Sequence, residues 1–303
     1  MKQPIRYRAH AKINLGLEVG GLRPDGYHEM RSVLQSIALC DILDFSPAEE
    51  GIHLTCSAPG LGTGEDNLVI RAAKALLAAF NCERGARIHL NKVIPMEAGL
   101  GGGSSDAAVT LLALAKLWKL DADREDLLEL ARGLGSDVPY FLVGGTVLAV
   151  GRGEEVYPLP DAPQLHVLIV PTASGMSTKR AYSLIDKRLT ECPTVPRIFT
   201  TVQGVVEGKL SEGVLFNHFE EVYGQIEGEV AVLRRILLKN GTGRLLLAGS
   251  GSAWLGIFAS LEEAREARRS LALAGSKGIL TQTLTRKDYW DLTVPSVEKE
   301  NRQ

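Results

Sequence analysis

From Ala11 to Val19 the chain alternates, with Ala11, Ile13, Leu15 and Leu17 on one side and Lys12, Asn14, Gly16 and Glu18 on the other. A period of two predicts a half-buried β-strand. Gly20-Gly21 and Arg23-Pro24-Asp25-Gly26 carry turn chemistry, and an extended run leads from Tyr27 towards Phe45. The expected start is a hairpin with a polar tip. At Asn67 the spacing turns helical: Leu68, Val69, Ala72, Ala73, Leu76, Leu77 and Phe80 recur on one face, behind Asp66 or Asn67 as N-cap. A short strand is expected over Arg87 to Ile94. After a glycine-rich run, a helix places Ala107, Ala108, Leu111, Leu112, Ala115 and Trp118 on one stripe. A further helix from about Arg124 to Arg132 is expected to stop at Gly133, before a strand region over Val143 to Val150. The proline-rich stretch Tyr157 to Pro163 predicts a linker. Beyond it the pattern gives strands at Leu165 to Val170 and within Leu245 to Phe258, and helices at Ser177 to Leu189, Gly228 to Leu238 and Leu261 to Leu273. The polar end, Val297 to Gln303, is expected to fray. This order predicts an α+β chain of two domains, 1–160 and 161–303.

The run Pro95, Met96, Glu97, Ala98, Gly99, Leu100, Gly101, Gly102, Gly103, Ser104 and Ser105 stands between the predicted strand and its helix. Glycines let backbone N–H groups converge without Cβ interference, and a helix N-terminus offers unpaired donors and partial positive charge. Ser104 and Ser105 can cap the helix, or bind phosphate or magnesium. A strand-to-helix turn with a serine cap would need fewer glycines, so a phosphate-holding loop is the reading. No lysine follows Gly103, which excludes a Walker A loop. Counted from Gly99, the sixth position is Ser104, which departs from a dinucleotide fingerprint.

Composition narrows the rest. The 303 residues are 45% hydrophobic and 23% charged, as in a globular chain. A net charge of -2 gives no basic excess for a nucleic-acid partner. No apolar stretch reaches membrane-span length, and the first residues lack the apolar core of a signal peptide. Cys40, Cys56, Cys82 and Cys192 have no zinc-site spacing. The expectation is a cytoplasmic protein with no nucleic-acid or membrane partner and no metal held by a site of its own.

Pro-x-x-x-Gly-Leu-Gly-Gly-Gly-Ser-Ser before an alanine-rich helix resembles the signature loop of the GHMP kinases, which phosphorylate small-molecule hydroxyls. The resemblance implies a ribosomal-S5-like N-terminal domain, a ferredoxin-like C-terminal domain, an active site in the cleft between them, ATP as phosphate donor and Mg2+ with it. Ala11-Lys12-Ile13-Asn14-Leu15, Asp25-Gly26-Tyr27-His28, Gly135-Ser136-Asp137-Val138-Pro139 and Ala248-Gly249-Ser250-Gly251-Ser252 extend it. Together they resemble the branch of the family whose acceptor carries a cytidine diphosphate. On their own, Lys12 and Asn14 would be a strand's polar face, and Asp137 could cap a short helix. By resemblance Lys12 and Asp137 are the catalytic pair, Asp137 as base and Lys12 as the cation that polarises the acceptor site. Likewise Asn14, Tyr27 and His28 are acceptor contacts, with Tyr182 as the aromatic that closes the other face of the base and Thr178 nearby as a polar contact. Asp106 is set apart, since a carboxylate beside a triphosphate repels it. Homoserine- or mevalonate-type kinases, and a nucleotide-binding protein without catalysis, remain as alternatives.

Overall fold

Two long antiparallel strands, β1 (Ile5–Leu22) and β2 (His28–Ala48), organise the chain. The computed structural model describes residues 3–172, 180–185, 197–210, 213–223, 228–240 and 244–294. Gly20 and Gly21, expected in the turn, lie inside β1. The turn itself is Arg23 to Tyr27, closed by Gly26 N–H donating to the Arg23 carbonyl at 3.0 Å. β2 is long enough to take two partners along one edge: β5 (Thr146–Val150) pairs with Ser32 to Gln35 and β4 (Gly85–Asn91) with Ile42 to Ala48. With β3 (Ile52–Cys56), β6 (Glu155–Pro158) and the two-residue β8 (Phe216–Asn217) they form a seven-stranded sheet. The second sheet is four-stranded and antiparallel, in the order β11 (Ile279–Gln282), β7 (His166–Val170), β10 (Trp254–Phe258), β9 (Arg244–Leu247).

Helices α1 (Leu68–Ala79), α2 (Gly102–Leu117), α3 (Arg124–Leu134) and α4 (Val138–Phe141) pack with the first sheet around Phe45, Leu76, Leu111, Leu114 and Phe141. Residues 180–185 (α5) are helical and pack Ala181 and Ile185 against Leu17, Val19 and Phe219. Next come α6 (Ile198–Val206), α7 (Gly228–Asn240), α8 (Leu261–Leu273) and α9 (Arg286–Thr293). Ala264, Ala267 and Leu271 of α8 and Leu233 of α7 cover one face of the second sheet. Its other face meets Ala11, Ile13 and Leu15 through Val167, Ile169, Leu255 and Ile257.

Several expectations change for one reason, which is burial on more than one side. The polar face of β1 is not solvated. Lys12 is 5% exposed and Asn14 1%, because α2 and its preceding loop roof that face. Lys12 N–H donates to the Leu100 carbonyl and Ser105 Oγ to the His10 carbonyl. α2 is buried nearly all round rather than along one stripe, so Ser105, Asp106 and Thr110 are interior as well. α3 runs past Gly133 because Leu134 still packs in the first core, and Gly135 takes the C-cap. Val297 to Gln303 lie outside the described residues, as does Cys192.

Candidate active site

The glycine loop is held by its neighbours before any ligand enters. Gly99 has φ +76°, and a Cβ there would stand 2.0 Å from the Ala248 carbonyl oxygen in the β9–β10 turn. Ser252 N–H of the same turn donates to the Glu97 carbonyl at 3.3 Å. Glu97 itself sits at φ +54°, strain that only a surrounding scaffold sustains. Gly101, at φ +71°, is the N-cap of α2, and no side chain caps that helix. Its first-turn N–H groups thus begin in the wall of a cleft of about 720 Å3. Pro95, Met96, Glu97, Ala98, Gly99, Leu100, Gly101, Gly102, Gly103 and Ser104 all line it, facing Leu61, Leu68 and Leu90. An apolar wall opposite a helix N-terminus suits a flat base at one end and an anion at the other. Ser105 departs from expectation: its hydroxyl is spent on the His10 carbonyl, and it does not line the cleft. Ser104 lines the cleft.

In this wall, through Lys92 and Asp106, lies a cluster of which the sequence pointed to Asp106 alone. Lys92 Nζ donates to Asp41 Oδ2 and, at 2.9 Å, to Asp106 Oδ2. Asp41 Oδ1 accepts from the N–H groups of Val93 and Ile94, fixing the chain where it leaves β4 for the loop. One cation for two buried carboxylates leaves a deficit, and Asp106 carries it. Burial pushes its carboxyl up to about 7, with Lys92 pulling the other way and Asp41 adding to the rise. This eases the difficulty of a carboxylate beside a triphosphate: Asp106 is paired with Lys92, and burial holds its carboxyl well above the ordinary carboxylate range. The missed signal is Asp41, one of two aspartates inside the mostly apolar run Ile37 to Phe45, the other, Asp44, being paired with Arg6.

On the other side of the loop, Lys12 Nζ lies 3.0 Å from Asn14 Oδ1 and 3.7 Å from Asp137 Oδ2. Lys12 and Asn14 stand between two register shifts in the β1–β2 pairing, a device that re-aims side chains. A Cβ on Gly249 would come 3.7 Å from Lys12 Nζ, so the β9–β10 turn also borders this point. Asn14 donates through Nδ2 to Ser32 Oγ at 2.7 Å, which fixes the amide whose Oδ1 accepts from Lys12. Asp137 occupies the N-cap position of α4 yet makes no capping bond. Its side chain is one-third exposed, while Lys12 beneath it is buried.

The aromatic residues gather near that pair. His28 and Tyr182 stack with ring centroids 5.0 Å apart and planes 28° apart, and Phe219 meets Tyr182 edge-on. Burial and the charge of Asp137 push the Tyr182 hydroxyl up to about 12, which places the stack within electrostatic reach of Asp137. Tyr27 is 56% exposed, with the Arg152 guanidinium 4.9 Å above its ring. Thr178 lies outside the described residues. Lys12, Asn14, Asp137, His28 and Tyr182 are thus brought together from β1, the start of α4, β2 and α5.

The GHMP kinases N terminal domain model matches residues 67–145, which span α1, the glycine loop, α2 and α4. The chain is 41% identical to the 4-diphosphocytidyl-2-C-methyl-D-erythritol kinase of Pelotomaculum thermopropionicum, over 91% of this chain and 96% of that protein. It is 39% identical to the kinase of the same name from Thermoanaerobacter pseudethanolicus, over 88% and 92%. Among solved structures, a 4-(cytidine 5'-diphospho)-2C-methyl-D-erythritol kinase superimposes with a TM-score of 0.78 at 34% identity, covering 92% of this chain and 99% of that one. Homoserine kinase from Cytophaga hutchinsonii has a TM-score of 0.73 at 17% identity, over 94% and 96%, a likeness of fold.

Proposed function

The chain belongs to the 4-diphosphocytidyl-2-C-methyl-D-erythritol kinase family of the GHMP kinases, and we propose that it transfers the terminal phosphate of ATP to the 2-hydroxyl of that alcohol. The observation that carries this reading is Lys12 beside Asp137, between an uncapped helix N-terminus and a pair of stacked rings. Phosphoryl transfer asks mainly for alignment and charge neutralisation. The N–H groups at the start of α2 hold the phosphates of ATP. Lys12, buried and oriented by Asn14, supplies positive charge where the hydroxyl and the transferring phosphate meet. Asp137, with no capping bond to make, accepts the hydroxyl proton. His28 and Tyr182, stacked on each other here, and the exposed Tyr27 supply the aromatic surface against which the cytosine ring is held.

An Mg2+ ion that accompanies ATP takes most of its ligands from phosphate and water, and the Ser104 hydroxyl on the cleft wall suits the place left for a protein oxygen. Such an ion would supply charge neutralisation at the phosphate oxygens. No helix among the described residues is long and apolar enough to cross a membrane, and the cytoplasm is the compartment we assign. The test follows ADP release with ATP and magnesium in the presence of the cytidylyl alcohol, homoserine or mevalonate. Turnover is expected with the first alone. Turnover confined to homoserine or mevalonate would overturn the acceptor, and ATP binding without any turnover would overturn catalysis.

A further inference from the structure

Lys12 and the glycine loop both meet the β9–β10 turn, and that turn belongs to the other sheet. A Cβ on Gly249 would stand 3.3 Å from the Gly99 carbonyl oxygen and 3.7 Å from Lys12 Nζ. Between the sheets the packing is apolar, with Ala11, Ile13 and Leu15 against Val167, Ile169, Leu255 and Ile257. Apolar burial holds surfaces together without fixing their orientation. Phosphoryl transfer needs the reacting groups placed to better than about 1 Å, so directional bonds must set the turn.

Asn217 supplies them. It lies in β8, which pairs with β1 at Gly16 and Leu17, and it is buried. Its Nδ2 donates to the Leu247 carbonyl at 2.8 Å and to the Gly249 carbonyl at 2.7 Å. Its Oδ1 accepts from Phe219 N–H at 2.9 Å, and Phe219 is the ring that meets Tyr182 edge-on. One amide thus ties the first sheet to the turn beside Lys12 and to the residue behind the aromatic stack. Two carbonyls and one N–H around it fix which end of the amide is which, and an aspartate of the same shape would have no proton to donate. The same segment holds the turn at two more points. Tyr223 Oη donates to the Ser250 carbonyl at 2.8 Å, and Glu220 Oε1 accepts from Leu247 N–H at 3.0 Å. None of these three side chains lines the donor cleft.

We propose that Asn217 is a positioning residue for phosphoryl transfer. It sets the β9–β10 turn, and through it Lys12 and the glycine loop, in register with the acceptor site, and so acts on the transfer step rather than on the binding of either substrate. This role rests on the kinase reading above, which wild-type turnover of the cytidylyl alcohol tests separately. Asn217→Ser keeps an oxygen for Phe219 N–H but cannot span both carbonyls. Asn217→Asp keeps shape and acceptor but sets an oxygen against two carbonyls. In steady-state kinetics on the full-length protein, with the folded fraction measured by urea unfolding, Asn217→Ser should lower kcat by about 10- to 100-fold. Asn217→Asp should lose more, and KM for ATP and for the acceptor should stay nearly unchanged in both. Tyr223→Phe removes one hydroxyl from the same turn and should lower kcat by less. Ser260→Ala, which strips the N-cap from α8, is the control: it should lower stability and leave kcat as in wild type. Unchanged kcat in both Asn217 variants, a loss carried by KM alone, or an equal fall of kcat in Ser260→Ala would overturn the role of Asn217. Should neither Asn217 variant fold, unaltered kcat in Tyr223→Phe would overturn it. Absence of wild-type turnover would overturn the kinase reading, and this role with it.

Discussion

Gly99 and Gly103 stand four positions apart in one loop and serve different ends. A methyl on Gly99 would meet the Ala248 carbonyl at 2.0 Å, backbone against backbone, at a φ that L-residues resist. Gly99→Ala is expected to cost roughly 3 kcal/mol. Gly103 lies in the first turn of α2, where a Cβ meets only Leu68 Cδ1 at 3.7 Å. Gly103→Ala should hold or raise stability by roughly 0.5–1 kcal/mol, since alanine orders more readily in a helix, yet weaken ATP by narrowing the cleft. Urea unfolding and ATP titration of both variants check this, and equal unfolding midpoints would refute the division. Asp137→Asn tests the chemistry at the same scale. It keeps shape and removes the base, so kcat should fall by about 10²–10⁴ with ATP affinity unchanged. An unaltered kcat would remove Asp137 from its role.

Among elements, the junction of β4, the loop and α2 depends on charge that the pattern of apolar residues does not reveal. Lys92 holds Asp41 on β2 and Asp106 on α2, and loss of one member of such a buried set costs about 3–5 kcal/mol. The junction also has a signature in pH. Asp106 moves from an ordinary 3.8 to about 7 in the folded protein. Between about pH 4 and pH 7 the native state therefore keeps a proton that the unfolded chain gives up. Its stabilising contribution is present at the acid end of that window and is lost as pH rises through 7. Asp106→Asn keeps size and an acceptor for Lys92 but cannot titrate. Measured without ATP from pH 5 to 8, its stability should gain on wild type by roughly 1–3 kcal/mol as pH rises. A pH-independent difference would show that Asp106 does not titrate there.

At the scale of the molecule, the proposed boundary near residue 160 falls between β6 of the first sheet and β7 of the second. The chain recrosses it. β8 pairs with β1, and α9 returns to the first sheet. There Tyr289 Oη donates to the Phe141 carbonyl at 2.6 Å, Trp290 Nε1 to the Val143 carbonyl at 3.0 Å, and Arg286 Nη2 to the Thr146 carbonyl at 2.6 Å. Residues 1–160 expressed alone should lack a cooperative unfolding transition, because β1 and α4 would lose these partners. A sharp urea transition for that fragment would show that the first domain stands by itself.

The sequence by itself determined what is local or repeated. Alternation placed β1, helical spacing placed α1 and α8, and the glycine run singled out the loop proposed to hold phosphate, because periodicity and backbone freedom are written residue by residue. The family motifs singled out Lys12, Asp137, Tyr27 and His28 as well. Position was another matter. That Asp137 does not cap α4, that the Asn14 amide links Lys12 to Ser32, and that the Ser105 hydroxyl is spent on the His10 carbonyl depend on which groups lie near in space. β3, α6, β11 and α9 went unread for a related reason. They are short, and their apolar residues take meaning only from the surface they meet. Tertiary structure decided how the polar side of β1 became an interior cleft, since a residue's exposure and charge state depend on every element packed around it.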